Sequence, residues 1–180
     1  IWLAHNGLML EQLQDPNFQV TFDDYQRLIT SAIHLSARPD LGLHVGSRIG
    51  INTHGMMGFA ILNSSTLKQA VDTLKQFINT RTPLVNVNTH ETASSMVITL
   101  QAIQPLGVIQ QPFMDALLVT IANLLQQTTP LSPAISQVNL GFAAPAYWQQ
   151  YSALLKVPVH FNQASTQLIL TQASLTQRLD

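Results

Sequence analysis

Residues 64–101 read SSTLKQAVDTLKQFINTRTPLVNVNTHETASSMVITLQ, and within them the spacing of apolar side chains changes from one period to another. Leu67, Ala70, Val71, Leu74, Phe77 and Ile78 recur at i, i+3, i+4, i+7, i+10 and i+11, the stripe of an α-helix with one buried face. Ser64 or Ser65 is placed to begin that helix, and Lys68, Asp72 and Lys75 fall on its other side at a spacing that suits weak ion pairs. After Arg81-Thr82-Pro83 the period becomes two. Val85 and Val87 alternate with Asn86 and Asn88, and Met96, Ile98 and Leu100 alternate with Thr99 and Gln101. Successive strand residues face opposite sides of a sheet, so two such runs joined by the polar segment 90–94 predict a hairpin with one apolar face.

Working downstream, Pro112 and Pro130 bracket a helix over about 109–127 that is apolar nearly all round, the signature of a buried central helix. A strand at 135–142, a short helix at 146–155 and strands at 159–161 and 167–171 follow. The order after residue 83 is therefore β-β-α-β-α-β-β. Upstream the chain reads as helical. Asn6-Gly7 is a helix stop, and Thr21 precedes an apolar stripe of Tyr25, Leu28, Ile29, Ala32 and Ile33 that closes at Arg38-Pro39. Asp40 can cap a successor over Leu41–Arg48. Hairpins and short connections favour a mainly antiparallel sheet, so the class is α+β: a helical N-terminal half packed on a small sheet.

The chain has 180 residues, enough for one domain whose core needs no staple, and 46% of them are apolar. Its 19 Gln outnumber the 17 charged residues, so amides and hydroxyls keep the surface wet. A net charge of −1 supplies no field for holding nucleic acid or an anionic membrane. The absence of Cys removes thiol catalysis, disulfides and Cys-based zinc sites, and it fits a reducing cytoplasm. The apolar run at 113–125 carries Asp115 and Asn123 and is shorter than the roughly 20 residues a bilayer span takes. The start, Ile1-Trp2-Leu3, lacks a Met and a basic region, and reads as a fragment of a longer chain rather than a signal peptide.

No nucleophile elbow, phosphate loop or dinucleotide fingerprint occurs, so neither catalysis nor a cofactor is expected. The six His residues lack metal-ligand spacing, so no metal is expected either. Gly55-Met56-Met57-Gly58 reads as backbone packed too closely for a Cβ. His54 sits at a corner before Met57, where an imidazole can point into a cavity or bond to backbone. Arg81 suits the carboxyl end of its helix, and alternatively clamps a ligand carboxylate at the helix-to-sheet junction. Asp115 suits the first turns of the central helix, and alternatively Asp115 or Asn123 faces a polar ligand. Trp148, Tyr151 and Phe161 read as core.

Four stations in order carry a family resemblance. Asp40-Leu41-Gly42-Leu43-His44-Val45-Gly46 comes first. His54-Gly55-Met56-Met57-Gly58-Phe59-Ala60 leads into Asn63-Ser64-Ser65-Thr66-Leu67-Lys68-Gln69-Ala70, and Tyr151 precedes Val157-Pro158-Val159-His160-Phe161. Together they resemble the N-terminal, non-cupin "arabinose-binding" domain of AraC-family bacterial transcription regulators. Gln76-Phe77 and Leu155-Lys156 depart from the family pattern. The resemblance implies a cytoplasmic, homodimeric sensor domain over residues 1–180. It takes a small molecule between helices and sheet and controls a helix-turn-helix DNA-binding domain expected downstream. His54, Met57, Phe77, Arg81, Phe113 and Asp115 are the candidate ligand-binding residues. Low charge and five Met favour an apolar or amphipathic effector, and contact with DNA is expected only through the further domain. Dimerisation without a ligand is the alternative.

Overall fold

The structure is a computed structural model that describes residues 1–50, 53, 55–129 and 133–176. Helix α6 (Leu67–Arg81) forms where the 3.6-residue stripe predicts it, and it turns Leu67, Ala70, Val71, Leu74 and Ile78 inward. It starts later than the serines suggest. Thr66 is the cap, its hydroxyl accepting from the Gln69 amide at 3.2 Å. Asp72 attracts Lys68 weakly along the helix, but the direct contacts leave it: Lys68 meets Glu91, and Lys75 donates to the Thr89 hydroxyl at 3.2 Å. Exposed pairs of this kind are screened by solvent and contribute little, whereas each fully buried leucine contributes about 2 kcal/mol. The apolar stripe therefore seats α6.

The hairpin follows as expected. Strand β1 (Val85–Glu91) pairs antiparallel with β2 (Ser95–Ala102), with Val87 opposite Leu100. Strand β2 pairs antiparallel with β5 (Thr166–Thr171), β5 with β3 (Gln137–Asn139), and β3 runs parallel to β4 (Val159–His160). The sheet order is β1-β2-β5-β3-β4, open and mostly antiparallel, and the class is α+β. Val85, Val87, Met96, Ile98, Leu100, Val138, Leu168 and Leu170 fill one face, while asparagines, glutamines and threonines occupy most of the other. Strand β3 is shorter than the sequence suggests: the Leu140 amide still donates to the His160 carbonyl at 2.7 Å, and the residues after it form a loop.

The free edge of β1 is not left bare. Asn79 of α6 donates to the Val87 carbonyl at 3.0 Å and accepts from the Val87 amide at 2.7 Å, acting as one residue of a missing strand. Asn79→Ala is expected to cost about 1–2 kcal/mol in chemical denaturation, the net worth of two such bonds.

The central helix α7 (Gln110–Thr128) lies on the sheet, preceded by a 3-10 turn at Gly107–Ile109. Together they span 22 residues, so helix and turn reach a membrane-crossing length that the apolar run alone does not. More than half of the span is buried among α6, α4 (Leu41–Arg48) and α8 (Gln149–Leu155), which makes it the core helix of the domain. Outside α7 lie α4 and α3 (Phe22–Ser36), with α1 (Trp2–His5) and α2 (Leu10–Gln14) beyond. Helix α5 (Met56–Leu62) precedes α6, and α9 (Gln172–Leu175) follows β5.

Thr21 caps α3 as anticipated, accepting from the Asp24 amide at 3.1 Å, while Ala37 in the left-handed region ends it. Asp40 does not cap α4 through its side chain. Gly55 has φ 54° and open space where a Cβ would stand, so it supplies a turn conformation before α5 rather than a close approach. The close approach lies in α4. A Cβ on Gly42 would sit 2.8 Å from Pro112 Cα, and one on Gly46 would sit 3.0 Å from Ala116 Cα, so α4 rests directly on the α7 backbone. Tyr151 is fully buried and Phe161 packs against the core, but Trp148 is 47% exposed, because it precedes α8 at the surface instead of turning inward.

Candidate functional site

Helix α3 is amphipathic, yet Leu28 is its one buried residue. Its remaining inward face (Tyr25, Ile29 and Ile33) is half-buried because it overlies a hollow. The hollow has a volume of about 330 Å³, within the usual range for ligand pockets. Leu41, Val45 and Ile49 form its second wall, and Phe113, Ala116, Leu117 and Thr120 of α7 its floor. The two walls are attached differently. The α4–α7 seam is closed by glycine, whereas α3 is tethered by polar contacts: Gln26 Nε2 donates to the Leu106 carbonyl at 2.9 Å, Trp2 Nε1 to the Leu28 carbonyl at 3.1 Å, and Trp2 and Asn6 to the Ser31 hydroxyl at 3.0 and 2.9 Å.

A second, more open cleft of about 610 Å³ adjoins the first and shares Tyr25, Ile49, Phe113 and Leu117 with it. It adds Thr21, Phe22, Thr53, Phe77, Arg81, Thr82 and Pro83, at the corner where α6 passes into β1. Tyr25 and Phe113 meet edge to face at 6.5 Å on the shared wall. Burial pushes the Tyr25 hydroxyl above its ordinary pKa, so it remains a proton donor.

Phe77, Arg81 and Phe113, all expected to bind ligand, thus come together in one cleft. Met57 lies on α5 and lines neither hollow, and His54 lies outside the described residues. The first hollow opens within the helical layer, and the adjoining cleft reaches the corner between helix and sheet. Tyr25, Ile29, Ile33, Val45 and Ile49 were not among the anticipated site residues. Their stripe is legible, but an apolar face over a hollow has the same period as one over a packed core.

Asp115 faces the other side of α7. It is fully buried and accepts from the hydroxyls of Tyr151 and Tyr147 (2.9 Å for Tyr147) and from Gln111 Nε2 at 2.9 Å. The rings of Tyr147 and Tyr151 stack at 6.0 Å. Burial raises the Asp115 pKa, against the three hydrogen bonds that favour its charge. Burial and the neighbouring carboxylate push both tyrosines well above their ordinary range, so they stay donors.

Nearby, Asp40 is 6% exposed. Its burial works against the charge, but bonds from Arg38, Gln150 and His44 prevail and hold its pKa at about 2. Together the two carboxylates tie α4, α7 and α8 into one polar seam. Among the described residues no group of three or more His or acidic side chains is placed to hold a metal.

A mostly antiparallel sheet lies under a helical layer that holds an apolar hollow. The sequence profile of the "Arabinose-binding domain of AraC transcription regulator, N-term" matches residues 2–179, and the chain belongs to that family. It is 25% identical over 155 residues to the ornithine utilization regulator of Pseudomonas aeruginosa, covering 85% of this chain and 45% of that protein. It is 31% identical over 104 residues to an uncharacterized HTH-type transcriptional regulator of Mycobacterium tuberculosis, covering 56% of this chain and 29% of the relative. The chain thus spans less than half the length of these curated relatives, which are regulators by name rather than enzymes. The crystal structure of the transcriptional regulator CdpR from Pseudomonas aeruginosa shares the fold. The TM-score is 0.69 at 15% identity, covering 99% of this chain and 55% of CdpR.

Proposed function

We propose that the domain senses a small apolar or amphipathic molecule, which enters the hollow between α3, α4 and α7 and biases how a DNA-binding region of the same regulator is held. The observation that carries this reading is the half-buried apolar face of α3 over a 330 Å³ space, beside an α4–α7 seam packed backbone to backbone. A guest there gains apolar contact with α3 that the empty domain lacks. The response needs only a difference in affinity between two arrangements, and about 1–3 kcal/mol of coupling suffices to switch a promoter. Phe77, Arg81 and Phe113 line the adjoining cleft, and the reading includes a cytoplasmic homodimer.

A thermal-shift screen of small metabolites tests the proposal. At a hundredfold excess over its Kd, a true ligand adds about 2.7 kcal/mol, on the order of 5–10 °C for a domain of this size. Ile33→Trp fills the hollow from α3 and is expected to abolish that shift while leaving the empty domain's melting temperature within about 3 °C. A ligand that stabilises the variant as strongly as the parent contradicts the location.

The second reading is dimerisation without a ligand, favoured by the exposed Met56 and Phe59 on α5, at 86% and 57%. It predicts no hit in the screen, together with a dimer in sedimentation equilibrium that Phe59→Gln weakens.

A further inference from the structure

The two adjoining hollows differ in polarity, and this difference specifies the chemistry of the guest. Around the inner one no lining residue is charged; its polar groups are the Thr120 and Tyr25 hydroxyls. Around the outer one Arg81 is the single charged lining residue, and neither hollow is lined by a carboxylate or a His among the described residues. Arg81 makes no ion pair or hydrogen bond with a described residue. The acidic first turn of α3 lies close in sequence to this cleft, but it contributes no carboxylate to the lining, and Asp24 is bound to Arg27 at 2.8 Å.

An apolar compartment leading to an unpaired guanidinium describes an amphiphile with an anionic head. We infer that the effector is an aliphatic carboxylate, its chain held between α3, α4 and α7 and its carboxylate paired with Arg81 at the α6–β1 corner. This rests on the sensing function proposed above and narrows it to one ligand class. A guanidinium offers a carboxylate two parallel N–H donors, a geometry an alcohol or amide cannot use fully. The carboxyl end of α6 opposes an anion with roughly half a charge, which the full charge of Arg81 outweighs. The unpaired Tyr25 hydroxyl, bordering both hollows, supplies a further donor. A cationic guest such as a diamino acid finds no carboxylate to receive its ammonium groups, so the ornithine in a relative's name does not fit this lining.

Isothermal titration of the 180-residue chain with sodium octanoate, 1-octanol, octylamine and L-ornithine, each below its aggregation limit, tests the inference. Octanoate is expected to bind at least about tenfold more tightly than octanol, the worth of one charge-assisted hydrogen bond, with octylamine and ornithine weaker still. Arg81→Gln should erase the octanoate preference and leave octanol binding and the melting temperature unchanged. Tightest binding by octylamine or ornithine overturns the inference, as does an octanoate preference that survives Arg81→Gln, or no binding by any of the four. The broader sensing reading stands through each of those results if another compound stabilises the parent and not Ile33→Trp; if none does, both fall.

Discussion

Replacing Gly42 by alanine should unseat α4 and destabilise the domain by about 3 kcal/mol or more, measured by chemical denaturation. Helix propensity alone predicts the opposite sign, since alanine inside a helix is favoured over glycine by about 1 kcal/mol. The contact decides. The new methyl would stand 2.8 Å from Pro112 Cα and 2.9 Å from its carbonyl carbon, and both are backbone atoms that cannot rotate away. Relief therefore requires α4 to move off α7. That movement also shifts Leu41, Val45 and Ile49, one wall of the hollow, so ligand response should fall with stability. Gly50→Ala is the control. Nothing lies within 4 Å of a Cβ there, and a change within about 0.5 kcal/mol is expected. A neutral Gly42→Ala would mean that the seam is looser than described.

Asp115→Ala carries the other large effect. It removes the acceptor for Tyr147, Tyr151 and Gln111 at a fully buried position, and about 3 kcal/mol should be lost. Asp115→Asn keeps an acceptor and should cost less. The pH dependence separates charge from shape. The pKa of Asp115 is raised in the fold above its ordinary 3.8, so between the two values the folded chain binds the extra proton. Stability from this group accordingly falls as pH rises through the raised pKa. Asn at 115 should abolish that slope. Asp40 acts in the other direction. Its pKa drops from 3.8 to about 2 on folding, so its contribution is complete above 3.8 and disappears as pH falls towards 2. Denaturation midpoints of parent and Asp115→Asn across pH 2–8 show whether the two slopes exist.

Much of the architecture was legible because its signals are periodic. The switch at Arg81-Thr82-Pro83 located α6 and the hairpin, and Pro112 with the apolar run located α7. The cap at Thr21 was legible for the same local reason. The seams between elements were not. Gly42 and Gly46 matter through a backbone 70 residues away, and Asp115 is spoken for by Tyr151 on a later helix and Tyr147 just before it. Sequence spacing contains neither distance. Phe77, Arg81 and Phe113 share a cleft because a helical corner and the central helix converge there, a convergence the sequence suggests. Tyr25, Ile29 and Ile33 were read only as a packing face, since periodicity records which way side chains point and not whether anything fills the space they point into. The family motif at Leu41-Gly42-Leu43 marks the α4 seat, so its glycine has a packing reason independent of any ligand.

The most direct measurement is hydrogen–deuterium exchange of the chain with and without a compound selected by thermal shift. Slowed exchange is expected chiefly in α3, residues 22–36, with smaller protection along α4 and the facing turns of α7, and all of it absent in Ile33→Trp. Protection centred instead on the β3–β4 edge or on α5, with α3 exchanging at its ligand-free rate, would contradict the proposed location.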